Sequence, residues 1–367
     1  MEFTIGRDEF FKNLQRAQGV VSAKGAMPIL ANILIDASDS QITLYATNLD
    51  MGLRGTFDAE VSATGKTTVQ AKKLFDVVRE LPSENITIKT DDDGRLRVTC
   101  GKTKVNLATI GADEFPKFPE FDETRLIGLE SDMLLEMIRK TSYAISQDET
   151  RLTLNGALLE VSPTKALMVA TDGHRLAYIE REGAFKVTDT IKCIIARKAI
   201  HEIQKLIGED GGGPAQFTQQ DNHVFFKKGK LVMVVRLIEG AYPNYEQVIP
   251  KTTSHEASAP IADLISSLKR VATMADDKSH MISMSFEKGK LELSSEGGEL
   301  GEAKDEIPVE YTGDGLVIGL NANYMIDVLN ILGGDKAILK TQDQLSPMMA
   351  QSKDDPGLLC IVMPMRI

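Results

Sequence analysis

The chain has 367 residues, of which 42% are hydrophobic and 26% charged, and its net charge is −11. That length suits two or three domains, and that composition excludes wholesale disorder. No run approaches the ~18 apolar residues of a transmembrane helix, and MEFTIGRDEFF lacks the basic head and apolar stretch of a signal peptide. Three distant cysteines, Cys100, Cys193 and Cys360, make neither a disulfide framework nor a zinc site, so the expectation is a soluble protein of a reducing cytoplasm.

In chain order, the pattern predicts a helix over 7–24 and a strand pair with a turn over 33–47. A short strand runs into an amphipathic helix over 68–81, and a further strand follows at 104–110. The same order returns as helix 131–146, strand pair 157–171, strand–helix 193–206 and strand 231–237. It returns again as helix 260–275, strand pair 282–295, strand–helix 318–331 and strand 359–365. The three strand–helix segments superpose at an offset of 125, which aligns Phe75 with Ile200 and Met325, Val78 with Ile203 and Val328, and Leu81 with Leu206 and Ile331. These sets recur at i, i+3 and i+6, the spacing of a buried helical stripe. Ser131 is a candidate N-cap and Pro260 a candidate first-turn residue. Phe115-Pro116-Lys117-Phe118 matches Tyr242-Pro243-Asn244-Tyr245 at an offset of 127.

One matching helix would be a coincidence of common patterns, whereas four elements in one order at near-constant offset indicate internal repetition. The expected fold class is α+β, built as three copies of a two-helix, many-stranded unit. Boundaries at the proline-rich 116–125 and at 250–260 divide it into 1–122, 123–250 and 251–367.

Signs of catalysis are sparse. The densest candidate is TDGHRLAY at 171–178, where Asp172 and His174 could pair for acid–base or metal chemistry. The plainer reading is a binding or structural turn after a strand. The remaining histidines have no zinc spacing. GEDGGGP at 208–214 lacks the Lys-Ser/Thr of a P-loop, and the run Asp91–Asp93 reads as a solvated turn. No cofactor or metal is expected.

Charge placement says more. The six helix windows hold fourteen lysines and arginines against nine acids, so they carry +5 while the rest of the chain carries −16. A polyanion-facing surface would use Arg7, Lys12, Arg16, Lys24, Lys72, Lys73, Arg79, Arg139, Lys140, Arg197, Lys198, Lys205, Lys269 and Arg270. No base-reading pattern accompanies them, which suits phosphate contact. Simple solvation of charged helix faces would look the same. The tail LCIVMPMRI is apolar enough to be an edge strand that also borders a partner groove.

MPILANILI at 27–35, DEFPKFP at 113–119, ATDGHRLA at 170–177, AYPNYEQVIP at 241–250 and VMPMRI at 362–367 are specific enough to carry a resemblance. Over its whole length the chain resembles the bacterial sliding clamps, the beta subunits of DNA polymerase III. The resemblance implies a DNA clamp fold, with two chains joined head to tail in a six-domain ring. Such a ring has helices lining the hole, encircles duplex DNA without enzymatic activity, and is opened by a clamp loader that uses its own ATP. Size agrees. Units of this length are spheres of roughly 35 Å, three of which enclose a hole of only about 5 Å, whereas six enclose about 35 Å. Partners implied are double-stranded DNA, a second copy of the chain, the polymerase III catalytic subunit, the clamp loader, and other polymerases and repair proteins with short Gln/Leu/Phe peptides. A membrane is not among them.

The resemblance places the peptide groove at Leu154, Thr171, Gly173, His174, Arg175, Leu176, Pro243, Val248, Asn321, Tyr324, Ser346, Ile361, Val362, Met363, Pro364, Met365 and Arg366. Position 247 carries Gln where some members carry Arg, and SQDET at 146–150 is more acidic than the family's DNA side leads one to expect. The resemblance sets Val105 and Leu107 against Thr273 and Met274 of the partner chain. Lys102 and Lys104 complement the acids Glu296, Glu299, Glu302, Asp305 and Glu306. Three functions compete at this point: a topological DNA clamp, a repeat-built interaction scaffold that encircles nothing, and a hydrolase using Asp172 and His174.

Overall fold

The computed structural model describes residues 1–22, 27–91, 93–208, 213–296 and 301–367. Lys24, Asp92 and Glu299 lie outside the described residues, as does much of the 208–214 turn. Among the described residues there are six α-helices: α1 Arg7–Val20, α2 Ala71–Glu80, α3 Ser131–Thr141, α4 Arg197–Gly208, α5 Ile261–Ala272 and α6 Ala322–Leu332. No helix among them is long and apolar enough to cross a membrane.

The strand pairs follow the alternation in the sequence. Gln41–Thr47 buries Ile42, Leu44 and Ala46 on one face and turns Gln41, Thr43, Tyr45 and Thr47 outward. The amphipathic helices bury their stripes at Val78, Ile203 and Val328. Two stripe positions differ from the pattern. Phe75 is half-buried because it stacks on Phe11 of α1 at 4.9 Å, which leaves Leu74 to fill the core, and Ile331 is half-buried in the last turn of α6. Several boundaries move as well. The third helix gives way after Thr141 to a 3₁₀ turn, Ser142–Ala144. Ser131 lies inside α3, and its hydroxyl accepts from the Ala215 amide at 3.2 Å. Pro260 stands at the N-cap of α5, one residue before the helix.

By contacts the chain forms two compact units, one of residues 1–132 and 198–237, the other of 133–197 and 238–367. The expected repeats are therefore not the contact units, because the strands of the middle repeat are shared. In the first unit a nine-stranded sheet runs Thr109–Ile110, Gly65–Gln70, Asn32–Ser38, Gln41–Thr47, Met51–Asp58, Leu231–Arg236, His223–Lys228, Ala215–Gln220, Ile127–Leu129. In the second an eight-stranded sheet runs Ile191–Ala196, Gly156–Val161, Lys165–Thr171, Arg175–Glu182, Asp355–Val362, Met348–Ser352, Lys336–Thr341, His255–Pro260. Each sheet is continuous across a repeat boundary. The first joins at Met51–Asp58 with Leu231–Arg236, the second at Arg175–Glu182 with Asp355–Val362.

Two smaller sheets complete the units. The first unit has a five-stranded sheet with Thr103–Leu107 at one edge, and the second a four-stranded sheet with Glu302–Pro308 at one edge. Helix α1 packs on α2 and on the strands Gln41–Thr47 and Met51–Asp58, while α5 packs on α6 and on the four-stranded sheet. All three cysteines are free and buried, and burial pushes the Cys193 and Cys360 thiols up to about 12.

Candidate functional site

The strand Lys165–Thr171 turns through 172–174 into Arg175–Glu182. Gly173 sits at φ 90°, where a side chain would be strained. The Asp172 carboxylate accepts from the His174 amide at 2.9 Å and from the Arg175 amide and Nε at 3.0 Å each. The Thr171 hydroxyl donates to the Arg175 carbonyl at 2.6 Å and accepts from the Gly173 amide at 3.1 Å. Asp172 thus holds the backbone of His174 and the side chain of Arg175. The imidazole lies nearly parallel to the Tyr324 ring at 6.4 Å. The Asp172 carboxylate is thus engaged by the turn's backbone and by Arg175, and among the described residues no hydrogen bond joins it to the His174 ring.

Arg175 organises the site. Its guanidinium bonds Asp172 and, on α6, Asp327, and lies 4.5 Å from the Tyr324 ring and 5.2 Å from the Tyr143 ring. Burial works against its charge, but the bonds to Asp327 and Asp172 outweigh burial and hold it protonated. Asn321 is used up as the N-cap of α6: its Oδ1 accepts from the Tyr324 amide at 3.1 Å and its Nδ2 donates to the Ser279 carbonyl at 2.8 Å. The cap sets Tyr324 on the first turn beside His174 and Arg175.

The tail departs from the expected strand. Regular pairing ends at Val362. The Met363 amide donates to the His174 carbonyl at 2.8 Å, Pro364 has no amide to donate, and the Met365 amide donates to the Gly319 carbonyl at 2.8 Å. The chain therefore leaves one sheet and is tied to the other. Gly319 permits the crossing, because a Cβ there would stand 2.7 Å from the Met365 carbonyl oxygen and 2.9 Å from the Ile367 side chain. Beneath the tail, Leu176, Met349 and Ile361 belong to one buried cluster against which Met363, Tyr242 and Tyr245 pack.

The structure thus brings Thr171–Leu176, Asn321, Tyr324 and Ile361–Met365 together. Leu154 closes the 3₁₀ turn Leu152–Leu154, Pro243, Val248 and Ser346 lie on loops of the same unit, and Arg366 is exposed. Five of the seven large apolar side chains left exposed among the described residues belong to this unit: Leu152, Val248, Val317, Leu345 and Ile367. All stand within four residues of an expected groove position. Sequence reasoning missed Tyr143, Asp327, Met349, Tyr242 and Tyr245. Tyr242 and Tyr245 stand out in the sequence as a repeat marker and as part of the motif at 241–250, with no groove role attached, and nothing in the chain's periodicity singles out Asp327.

A four-charge cluster lies in the same unit. Arg181 bonds Glu136 at 3.0 Å and Asp355 at 2.8 Å, and Lys140 pairs with Asp355 at 2.5 Å and Glu136 at 3.1 Å. Lys140 is consequently tied into the protein, with a side chain only 19% exposed. Burial would raise the Asp355 carboxyl, but Arg181 and Lys140 overcome it and hold it below the usual carboxylate range, and Arg181 likewise draws Glu136 down. Because both folded values are depressed, their stabilisation is present above the unfolded values and is lost as pH falls through the folded ones. The melting temperature is expected to fall as the pH drops below about 5. A Glu136→Gln/Asp355→Asn variant should melt lower at neutral pH and lose that part of the slope. An unaltered slope in the variant would show that other carboxylates set the acid limit.

The other basic positions differ in availability. Lys72, Lys73, Lys198 and Lys269 are exposed and have no ion pair among the described residues, and Lys12 is also exposed. Arg16 is half-buried and donates to Asn13, and Arg197 is half-buried. Arg79 pairs with Glu80 at 2.9 Å and Asp76 at 3.4 Å, Lys205 with Glu202 at 2.7 Å, and Arg270 with Asp305. All three of these cations are exposed, so such pairs are weak and a phosphate can replace the carboxylate. Arg7 donates to the Val78 and Arg79 carbonyls and serves the α1–α2 contact.

On the edge strand Thr103–Leu107, Val105 and Leu107 are half-buried while Lys102 and Lys104 are exposed. In the second unit Thr273 is exposed and Met274 is half-buried. Asp305 and Glu306 on the other edge strand are already paired, with Arg270 and Lys290, and Glu296 and Glu302 are exposed there with no ion pair among the described residues.

The family models for the N-terminal, central and C-terminal domains of the DNA polymerase III beta subunit match residues 1–119, 128–244 and 246–366. The chain belongs to the DNA polymerase III beta subunit family. It has that family's three-domain clamp fold and its function as a polymerase processivity factor. The beta sliding clamp of Caulobacter vibrioides is 33% identical over 376 residues, covering 100% of both chains. The crystal structure of the DNA polymerase III subunit beta from Pseudomonas aeruginosa matches with a TM-score of 0.95 at 31% identity, again over 100% of both chains. A sliding clamp from the same organism, solved bound to griselimycin, matches equally well, with a TM-score of 0.95, 31% identity and 100% of both chains covered.

Proposed function

We propose that two copies of this chain close head to tail around duplex DNA and hold polymerases by short peptides seated in the groove built on Arg175, Tyr324 and the tail. The domains are then 1–122, 123–250 and 251–367. One observation supports the ring. At each internal junction, the last long strand of one repeat pairs with the strand that follows the strand pair of the repeat before it: Leu231–Arg236 with Met51–Asp58, and Asp355–Val362 with Arg175–Glu182. By the same correspondence, Thr103–Leu107 of the first repeat needs Glu302–Pro308 of a third repeat. Both are unpaired sheet edges among the described residues. A second copy satisfies both edges at once, and unpaired edges of this kind are otherwise an aggregation hazard.

Contact with DNA is through phosphates, from Lys12, Lys72, Lys73, Lys198 and Lys269 with help from Arg16, Arg79, Arg197, Lys205 and Arg270. The acidic remainder discourages nonspecific adhesion. Partners are the polymerase III catalytic subunit, the clamp loader, and other polymerases and repair proteins of the cytoplasm. The protein itself catalyses no reaction. Protein loaded on closed circular DNA is expected to survive high salt and to leave once the circle is cut. A protein held by charge alone would instead lose affinity with a log–log slope of about −0.9 per phosphate contact. Equal loss by salt from circular and linear DNA would count against encirclement.

A further inference from the structure

The two internal junctions have the same ladder register, so their surfaces can be compared residue by residue. At the first, Gly52 stands opposite Val234 and Arg54 opposite Val232, and Val234 in turn stands opposite Phe225. At the second, Leu176 stands opposite Ile361 and Tyr178 opposite Leu359, and Ile361 in turn stands opposite Met349. The row Gly52–Val234–Phe225 is therefore the counterpart of Leu176–Ile361–Met349, the floor of the peptide groove.

We propose that the first junction is a second copy of that groove, closed by the chain's own segment 118–121 as its resident ligand, which leaves one partner site per chain. The proposal rests on the reading of the second junction as the peptide groove. Phe118 and Phe121 pack on the cluster of Phe225, Val232 and Val234. Phe121 stacks on Phe225 at 4.4 Å, and the Arg54 guanidinium lies 5.4 Å from the Phe118 ring and 6.0 Å from the Phe121 ring. Gly52 makes the room: a Cβ there would stand 3.2 Å from the Phe118 ring and 3.0 Å from Val234. The segment is then anchored by Glu123, which pairs with Lys227 at 2.5 Å and Arg54 at 3.6 Å.

The second junction differs at one decisive position. Tyr245, the counterpart of Phe118, also lies over its sheet, 5.9 Å from Tyr178. Val248, the counterpart of Phe121, is 36% exposed and is not among the side chains packed on the floor. A phenyl group supplied by the chain fills the first site. At the second a shorter side chain leaves that place to a partner's aromatic anchor, which fits the preference of such sites for apolar peptide side chains.

The test uses the full chain and a synthetic nonapeptide of residues 115–123, FPKFPEFDE. The Phe118→Ala/Phe121→Ala variant should bind one nonapeptide per chain and regain melting temperature on doing so, while the unaltered chain binds none. In the reciprocal variant, Val248→Phe, affinity for a Gln-Leu-x-Leu-Phe peptide should fall at least tenfold with the fold intact by circular dichroism. If the double variant does not fold, Phe121→Ala alone should bind the nonapeptide. The proposal is overturned if the folded phenylalanine variants ignore the nonapeptide, or if Val248→Phe binds the Gln-Leu-x-Leu-Phe peptide as the unaltered chain does. Failure of the unaltered chain to bind the Gln-Leu-x-Leu-Phe peptide would overturn the groove reading and with it the proposed equivalence of the two sites, whereas failure of the nonapeptide arm alone would overturn only the self-occupancy.

Discussion

A chain lacking residues 363–367 is expected to lose binding of a Gln-Leu-x-Leu-Phe peptide by at least about 100-fold while remaining folded and dimeric. The intact groove should bind such a peptide with micromolar affinity, on the order of −8 kcal/mol. Burial of one leucine and one phenylalanine contributes roughly 1.5–3 kcal/mol each before ordering costs. The deletion removes Met363 from the cluster of Leu176 and Ile361, and it removes the amides that bond the His174 and Gly319 carbonyls. Wall and frame therefore go together. The fold should survive because the strand Asp355–Val362, with its pairing to Arg175–Glu182, is retained. Calorimetry on the truncated chain is the measurement. Unchanged affinity would mean that the peptide site lies elsewhere.

Replacing Leu107 and Met274 together by aspartate should convert the proposed dimer to monomers in sedimentation. Each side chain is half-buried in the single chain and stands at a free edge or beside one: Leu107 on Thr103–Leu107, and Met274 with its methyl 3.3 Å from where a Gly301 Cβ would stand, next to Glu302–Pro308. A closed two-fold ring uses each contact twice, so four buried charges would have to be accommodated without partners, at a cost of several kcal/mol. Retention on circular DNA should vanish with the dimer, while peptide affinity stays, because the proposed groove lies wholly within one chain. A double variant that still sediments as a dimer would remove these residues from the interface.

Repetition was legible in the sequence because periodicity is a local property. Val78, Ile203 and Val328 show their buried stripe without reference to the rest of the chain, and the strand pairs show theirs by alternation. The turn at 171–176 was legible for the same reason, since Asp172, Gly173 and Arg175 form its bonds within five residues. Spacing alone leaves Asp172 and His174 open to two readings, a structural turn or a chemical pair, because it does not tell whether a carboxylate meets a ring or a backbone amide; in the fold the carboxylate meets the amides of His174 and Arg175, as the plainer reading expects.

The sequence by itself determined the number of repeats, the order of elements within them, the acidic balance with basic helices, and the family. Tertiary structure decided everything that depends on which strands meet. It fused the repeats into shared sheets, so that the middle repeat is divided between two compact units. It ended the last strand at Val362 and turned the tail onto Gly319. It tied Lys140 into a charge cluster while leaving Lys72, Lys73, Lys198 and Lys269 open. It also filled the first junction with Phe121, although the sequence shows the two linkers as near equals. The physical reason is common to all four. Hydrogen-bond ladders and side-chain packing join residues far apart in the chain, and no local pattern in a chain records which distant partner a strand edge or an aromatic ring will find.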